Sequence, residues 1–229
     1  TQLASLQSTS APQIDFPWIT IFAGDHGVME EQISAYPQAV TRQMLQNFTS
    51  GGACISVMAK HYSAHLQVID CGSVGEAYSY AGVERHSIMQ GTQNFAKTTA
   101  MSTEQCMAAM QLGYQSVEKA MAQKASIYVA GEMGIGNTCS ASALACLLLN
   151  ESEEALTGVG TGIKQEQLIR KKQVIQQAIT LHQDWAGDDA FKILCAVGGL
   201  EIAAMVGSYI RCAQRGLAIL VDGFISTAA

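Results

Sequence analysis

The chain has 229 residues, of which 48% are apolar and 14% are charged, and its formal net charge is −6 at neutral pH. This length and apolar content predict a folded protein with one sizeable core and argue against intrinsic disorder. The acidic balance, without a dense run of Lys or Arg, disfavours nucleic acid and anionic membranes as partners.

The seven cysteines show no Cys-x-x-Cys spacing and no accompanying histidine cluster. Their odd number, in a chain of this length, predicts reduced thiols in a cytoplasmic protein and argues against a zinc site or any other metal centre. The first fifteen residues lack the basic start and apolar centre of a signal peptide, and no apolar run is long enough to span a membrane.

Residues 1–15 show no periodic pattern and are predicted to be an irregular N-terminal remnant, followed by one α/β domain over residues 16–229. Five short apolar runs in that domain are predicted strands: 18–23, 66–71, 126–130, 193–197 and 217–221. The predicted helices cover residues 38–48, 52–64, 103–124, 138–150, 164–183 and 200–215, with Thr103 as an N-cap. Residues 72–102 form a long irregular connection, which is typically a functional or partly mobile segment.

The apolar runs do not alternate between apolar and polar residues, which favours a parallel sheet covered on both faces. Strands that alternate with helices therefore predict a doubly wound, mostly parallel, Rossmann-like α/β fold. Thr1 is not a natural start, and the chain stops just after a strand-like run, so we expect the N- and C-terminal helical parts of the fold to be absent.

Glycine or an acidic residue follows each predicted strand at once. The segments are Gly24-Asp25-His26-Gly27, Gly72, Gly131-Glu132, Gly198-Gly199 and Asp222-Gly223. Ordinary turns also favour Gly and Asp. Because ligands of open α/β sheets bind beyond the carboxyl ends of the strands, five such ends together favour one shared crevice.

The densest glycine motif covers residues 131–138, between a predicted strand and a predicted helix. Glycines let a backbone approach a ligand closely, and a helix N-terminus offers free N–H groups to an anion. The spacing matches neither the dinucleotide fingerprint nor the P-loop. A tight turn with a good N-cap is the alternative, but the carboxylate of Glu132 favours a site that holds sugar hydroxyls.

A second glycine loop covers residues 158–162 and precedes the helix predicted at 164–183. Lys164, Arg170, Lys171 and Lys172 follow it closely, and this combination suits a phosphate monoester. At least two of these cations are expected on a solvated helix face, since one helix cannot aim all four inward. The pair Gly198-Gly199 has no neighbouring cation and is predicted to allow close packing of a helix on a strand.

Three further candidates carry weaker signals. Asp25-His26 is consistent with acid–base chemistry and equally with a capped turn beside a structural histidine. Cys139 follows a glycine-rich helix start, where a thiol pKa could fall, but a small buried residue is the favoured interpretation. Met133 lies inside the glycine loop and could contact a flat apolar ligand.

Taken together, these motifs resemble one family over residues 16–229. They are Phe-Ala-Gly-Asp-His-Gly-Val at 22–28, Ile-Ser-Ala-Tyr-Pro-Gln at 33–38, Val-Thr at 40–41, Gln-Met at 43–44, Asn-Phe at 47–48, Gly-Gly-Ala at 51–53, the glycine motif at 131–138, Gly-Thr-Gly at 160–162, Gly-Gly-Leu-Glu-Ile-Ala-Ala at 198–204 and Asp-Gly-Phe-Ile at 222–225. Their order is similar to that of the nicotinate-nucleotide:5,6-dimethylbenzimidazole phosphoribosyltransferases.

The resemblance implies an enzyme of cobalamin biosynthesis. It would transfer the phosphoribosyl group of nicotinate mononucleotide to 5,6-dimethylbenzimidazole, as a homodimer and without metal or cofactor. By the same resemblance, Gln38, Gln46 and Met133 would line the acceptor pocket, and Glu132 would face the ribose. The nucleotide and its phosphate would be held by Gly134, Gly136, Asn137, Gly160, Gly162 and Lys171.

The family's general base is a glutamate in a Gly-Glu-Gly-Thr-Gly-like segment after the Asp-Gly-Phe motif, so the resemblance places it beyond Ala229. An alternative hypothesis is therefore a catalytically incomplete fragment that binds nucleotide without turnover. A transferase that depends on phosphoribosyl pyrophosphate and Mg²⁺ is less well supported, because such enzymes need paired acids where this chain has the lone Asp222.

Overall fold

The computed structural model describes residues 2–160 and 162–229 as an α/β fold. Its strands are β1 (Pro17–Gly24), β2 (His65–Gly72), β3 (Val83–Arg85), β4 (Ile127–Met133) and β5 (Ile219–Leu220). Its α-helices are α1 (Gln2–Leu6), α2 (Ala39–Ser50), α3 (Cys54–His61), α4 (Thr103–Ala122), α5 (Asn137–Leu149), α6 (Glu153–Leu156), α7 (Gln165–Ala186), α8 (Ala190–Val197), α9 (Leu200–Arg215) and α10 (Phe224–Ala228). A 3₁₀ helix covers Gly27–Glu31.

The five strands form one sheet in the order β3-β2-β1-β4-β5, and each pairing is parallel. The chain moves from β1 outward to β3 and then returns to the other side of β1 as β4. The order of a doubly wound sheet reverses at such a point, and ligands bind in the crevice that opens there. In this protein that switch point lies between β1 and β4.

Helices cover both faces of the sheet, which confirms the predicted doubly wound fold class. Along β1, Trp18 and Phe22 belong to the larger core with α4 and α9. Ile19 and Ile21 point to the other face, into a smaller core with α2 and α3. With both faces buried, neither set of side chains needs to be polar, and this explains the missing alternation in the sequence.

All six predicted helices are present, with bounds that differ by no more than three residues. One cap differs: Ser102, and not Thr103, is the N-cap of α4, and its hydroxyl accepts a hydrogen bond from the backbone N–H of Gln105. The side chain of Gln105 in turn accepts from the backbone N–H of Ser102, which completes a capping box.

The strand predicted at residues 193–197 was wrong, because this run is the second half of α8. Its residues are all buried, and a short run that is apolar on every side has the same pattern in a helix as in a strand. The start of α8 is set by Asp189, whose carboxylate accepts from the backbone N–H groups of Phe191 and Lys192.

Two smaller differences concern the edges of the sheet. The predicted strand 217–221 pairs only over Ile219–Leu220, at an edge where Leu220 is 57% exposed. The connection 72–102 contains the other edge strand, β3, whose three residues are too few for a periodic signal.

No helix among residues 2–160 and 162–229 has the length and apolarity needed to cross a membrane.

Candidate active site

The crevice at the switch point collects the strand ends that the sequence singled out. In the register of β1 and β4, Phe22 lies opposite Glu132 and Ala23 lies opposite Met133. Asp25 and His26 follow β1 directly, so they lie beside the turn that leaves β4. Residues at the ends of β4 and β5 line the cavity described next, whereas Asp25 and His26, after β1, do not line it. The predicted crevice is therefore shared by the ends of β4 and β5.

A cavity of about 560 Å³ opens at this edge of the sheet, and both glycine loops line it. Glu132 and Thr138 come from the first loop, and Gly158, Val159 and Gly160 come from the second. Residues 222–226, which follow β5, line the cavity as well. The two glycine loops thus meet at one cavity; within the second, Thr161 lies outside the described residues.

Glycine is required where the two loops touch. Gly160 has a φ of +54°, and a Cβ built on it would lie 2.9 Å from the hydroxyl oxygen of Thr138. Any larger residue would therefore be strained and would push the loops apart. Gly136, with a φ of +102°, forms the turn from β4 into α5, which begins at Asn137. Gly134 packs against the backbone of Gly24, and Gly162 is exposed.

Lys171 is the one member of the four-cation group that faces the cavity. Its side chain is buried, and its Nζ donates to the hydroxyl of Thr138 at 2.9 Å and to the carbonyl of Gly158 at 3.3 Å. Among the described residues no carboxylate lies within ion-pair distance of this ammonium group, and burial lowers its pKa. A buried cation without a counter-ion is a suitable partner for an anionic ligand.

The other three cations lie elsewhere. Arg170 pairs with the carboxylate of Glu31, and Lys172 pairs with that of Glu154. Lys164 is exposed at the start of α7. This confirms the expectation that at least two of the four belong to a solvated helix face.

Glu132 provides the acidic side of the cavity. Its carboxylate accepts a hydrogen bond from the side-chain amide of Asn137, five residues later on α5. Burial and the nearby Glu201 carboxylate raise the pKa of Glu132 to about 7, against the opposing effect of the Asn137 hydrogen bond. A carboxyl group with such a pKa can change its protonation state near neutral pH, which suits proton transfer or the stabilisation of developing positive charge.

A fully buried pair lies next to this carboxylate. His26 Nε2 and Glu201 Oε1 are 2.6 Å apart, and neither side chain is exposed. Burial disfavours the imidazolium form of His26, but the carboxylates of Glu201, Asp25 and Glu132 together outweigh that effect and raise the pKa of His26. The sequence hypothesis did not include Glu201. The sequence feature that could have indicated Glu201 is a single acidic residue within the otherwise apolar stretch 200–204.

Asp25 has a structural role, as one of the two sequence interpretations proposed. It is buried, and its carboxylate accepts from the hydroxyl of Thr41 at 2.7 Å and from the backbone N–H of Val74 at 2.8 Å. These contacts tie the end of β1 to α2 and to the loop after β2. Cys139 is fully buried, and burial raises the pKa of its thiol to about 12, which agrees with the interpretation of a small buried residue.

Gly199 corrects another prediction. It follows the helix α8, not a strand, and a Cβ built on it would lie 2.4 Å from the His26 ring and 2.8 Å from the Glu201 carboxylate. The glycine therefore allows the buried pair to approach the start of α9, and it does not serve the packing of a helix on a strand.

The three predicted acceptor residues do not line the cavity of about 560 Å³. Gln38 donates from its amide to the backbone carbonyl of His26 at 3.0 Å. Gln46 is exposed on α2, and Met133 packs against the smaller core on the same face of the sheet. The role of these three residues at an acceptor pocket stays a prediction.

A larger cavity of about 930 Å³ lies along the outer face of α7, lined by residues such as Leu168, Gln173 and Gln177. It contains no residue from a strand end and none of the charged groups at the crevice, so it is not the candidate site. No cluster of three or more metal-ligating side chains occurs within the part of the chain that the structure describes.

Comparison with known proteins agrees with this picture. The family model DBI_PRT, described as "Phosphoribosyltransferase", matches residues 1–229. The nicotinate-nucleotide–dimethylbenzimidazole phosphoribosyltransferase of Pseudomonas syringae pv. syringae (strain B728a) is 50% identical over 228 residues, which cover 100% of this chain and 65% of that protein. The enzyme of the same name from Pseudomonas aeruginosa (strain LESB58) is 46% identical over 227 residues, 99% of this chain and 64% of its own length.

A solved structure shows the same relationship. The crystal structure of CobT from Thermus thermophilus superposes with a TM-score of 0.93 at 38% identity, covering 99% of this chain and 68% of that one. The chain thus spans about two thirds of the length of these relatives. It belongs to the family of nicotinate-nucleotide–dimethylbenzimidazole phosphoribosyltransferases, as the sequence resemblance predicted.

Proposed function

We propose that the protein transfers the phosphoribosyl group of nicotinate mononucleotide to 5,6-dimethylbenzimidazole, giving α-ribazole 5′-phosphate and nicotinate for cobalamin biosynthesis. Family membership and the names of the relatives support the two substrates. The observation that carries the proposal is the cavity shared by the two glycine loops, with Lys171 on one side and Glu132 on the other. Lys171 is buried, and no carboxylate of the described residues lies within ion-pair distance of its ammonium group.

The phosphate of nicotinate mononucleotide would bind at Lys171. This ammonium group is held by Thr138 and Gly158, one from each loop, so it can move little when a ligand arrives. A phosphate supplies the negative charge that the buried cation lacks. The backbone of Gly136 and the start of α5 lie close by, and N–H groups at a helix N-terminus favour an anion.

The ribose would lie against Glu132. In the reaction the bond between C1′ and the nicotinate nitrogen breaks, and the leaving nicotinate keeps the electron pair. A ring nitrogen of the acceptor forms the new bond at C1′ from the opposite face, which converts a β-nucleotide into an α-nucleotide. Positive charge develops at the ribose in this step, and a carboxylate beside it lowers the barrier.

The acceptor would approach from the side of α2, where Gln38 and Gln46 lie, with Met133 against its ring. Its azole N–H proton must pass to a base. The family assigns this role to a glutamate in a Gly-Glu-Gly-Thr-Gly-like segment, and residues 1–229 contain no such segment. We therefore assign the base to no residue described above.

The proposal is tested by incubating the full-length protein with nicotinate mononucleotide and 5,6-dimethylbenzimidazole and analysing the products by mass spectrometry. We expect α-ribazole 5′-phosphate and nicotinate in equal amounts, and no such product would refute the proposed reaction. Calorimetry on residues 1–229 with nicotinate mononucleotide tests the alternative, a fragment that binds nucleotide without turnover. Binding without product would favour that alternative.

Assembly as a homodimer and location in the cytoplasm are further proposals, supported by the family resemblance and by the cysteine usage respectively. Light scattering coupled to size-exclusion chromatography measures the first directly. The proposed reaction needs neither a metal nor a cofactor, and full activity after treatment with EDTA is the expected result.

A further inference from the structure

The buried pair of His26 and Glu201 does not line the cavity of about 560 Å³. One ring nitrogen and one carboxylate oxygen meet at 2.6 Å, whereas His26 Nδ1 and Glu201 Oε2 have no hydrogen-bond partner among the described residues. Burying two ionisable groups with incomplete hydrogen bonding lowers the stability of the folded state, so we expect the pair to have a function.

Three glycines from three different loops close around this pair. A Cβ on Gly24 would lie 2.8 Å from Glu201 Oε2, and a Cβ on Gly134 would lie 3.2 Å from Glu201 Oε1 and 3.3 Å from His26 Nε2. A Cβ on Gly199 would lie 2.4 Å from the His26 ring. The ends of β1 and β4 and the start of α9 can therefore converge on the pair only because these positions lack side chains.

His26 also reaches the acceptor side of the site. Its backbone carbonyl accepts the side-chain amide of Gln38, and its Cβ is 3.3 Å from the position that a Cβ on Gly136 would occupy. His26 thus contacts the start of α2 and also the glycine turn that leads to Asn137. Asn137 in turn holds the carboxylate of Glu132.

Three acidic side chains from different parts of the fold surround His26. Glu201 lies on α9, Asp25 precedes His26 in the chain, and Glu132 lies on β4. All three carboxylates favour the imidazolium form against the effect of burial. The thiol of Cys71, on β2, faces Glu201, and burial raises its pKa well above the usual value, so it adds no charge.

We infer that His26 and Glu201 are positioning residues of the proposed transferase, whose pair sets the glycine turn 134–136 relative to Gln38 and so aligns the nucleotide side with the acceptor side. The inference rests on the proposed function, because it concerns how two proposed subsites are kept in register. Neither residue is expected to touch a substrate. Each acts through the backbone that it supports.

The test compares Glu201→Ala with Glu201→Gln in steady-state assays of the whole protein. Loss of the pair in Glu201→Ala should lower kcat by up to about a hundredfold, because a small displacement of one reactant is enough to lose alignment. The KM for nicotinate mononucleotide should change less, since Lys171 is untouched. Gln can still hydrogen-bond to His26, so Glu201→Gln should recover most of the lost kcat.

His182→Gln is the matched control for general loss of stability. His182 is a buried histidine of α7 with one hydrogen bond, 2.7 Å from its Nε2 to the carbonyl of Phe95, and it does not line the cavity. We expect this variant to keep kcat within about twofold of the wild type. An equal loss of kcat in His182→Gln and Glu201→Ala would overturn the positioning role.

If Glu201→Ala does not fold, Gly199→Ala tests the same contact, since the added Cβ would press on both members of the pair. A folded variant with wild-type kcat in either case overturns the inference and leaves the proposed function standing. A wild-type protein that makes no α-ribazole 5′-phosphate overturns the proposed function and, with it, this inference.

Discussion

At the scale of single residues, replacing Lys171 with an uncharged residue should raise the stability of the fold and weaken ligand binding. Lys171→Met keeps the length of the side chain and removes a buried charge that has no carboxylate partner. We expect the free energy of unfolding to rise by about 0.5–2 kcal/mol, as for other substitutions that relieve a functional strain. The Kd for nicotinate mononucleotide should rise about ten- to hundredfold, because a charged hydrogen bond to the ligand is lost.

Urea denaturation and calorimetry measure these two effects. Lys172→Met is the control, because Lys172 is the next residue along α7 and pairs with Glu154 outside the cavity. It should leave the Kd unchanged. A Lys171→Met variant that is less stable and binds as well as the wild type would show that this cation is structural.

Glu132 should make stability fall as the pH rises. Its folded pKa of about 7 lies above its usual value of 4.5, so between these values the folded state binds more protons than the unfolded state. The free energy of unfolding therefore decreases across that interval, by at most about 3 kcal/mol from this group. Glu132→Gln removes the titration and should be more stable than the wild type at pH 8 and equally stable at pH 4.

The measurement is urea denaturation of both proteins across this pH range. Glu166→Gln, at an exposed position of α7, should keep the pH dependence of the wild type. Parallel stability curves for Glu132→Gln and the wild type would contradict the assigned pKa.

At the scale of secondary-structure elements, the tightest packing is between α4 and α9, and it depends on glycine. A Cβ on Gly113 of α4 would lie 1.8 Å from the carbonyl oxygen of Ala204, and a Cβ on Gly207 of α9 would lie 2.0 Å from that of Met110. These helices cover one face of the sheet, and α9 carries Glu201 at its start.

Gly113→Ala tests this packing. Helix propensity alone favours Ala over Gly by about 1 kcal/mol. We expect the opposite sign, a loss of about 1–3 kcal/mol or more in the free energy of unfolding, because the backbones of two helices would have to separate. The exposed Gln115→Ala on the same helix should change stability by less than about 0.5 kcal/mol. A stabilised Gly113→Ala variant would contradict the close approach.

At the scale of the whole molecule, ligand binding should stabilise the fold, since the cavity joins segments from β4, α5, α7 and the chain after β5. Nicotinate mononucleotide at about 100 times its Kd should raise the free energy of unfolding by about 2.7 kcal/mol. Differential scanning fluorimetry measures the rise in Tm. Nicotinate alone lacks the phosphoribosyl group and should have no such effect; an equal rise with nicotinate would show that the phosphate loops are not the binding site.

Sequence patterns were informative where the physical signal is local. Apolar runs without alternation indicated a parallel sheet covered on both faces, and the glycines of residues 131–138 and 158–162 indicated two loops before helices. The same patterns misplaced residues 193–197, because a run buried on all sides carries no period. They also missed β3, whose three residues give too short a signal.

The sequence by itself determined the fold class, the family and the order of the glycine loops, because each depends on residues that are neighbours in the chain. The family resemblance had already named Lys171, and the tertiary structure added that the other three cations lie outside the cavity. Only the tertiary structure decided that His26 meets Glu201, 175 residues further along the chain. Contacts of this kind depend on how strands are ordered and how closely helices approach. That information arises because the strand order reverses between β1 and β4, which brings segments that are distant in the sequence to one edge of the sheet.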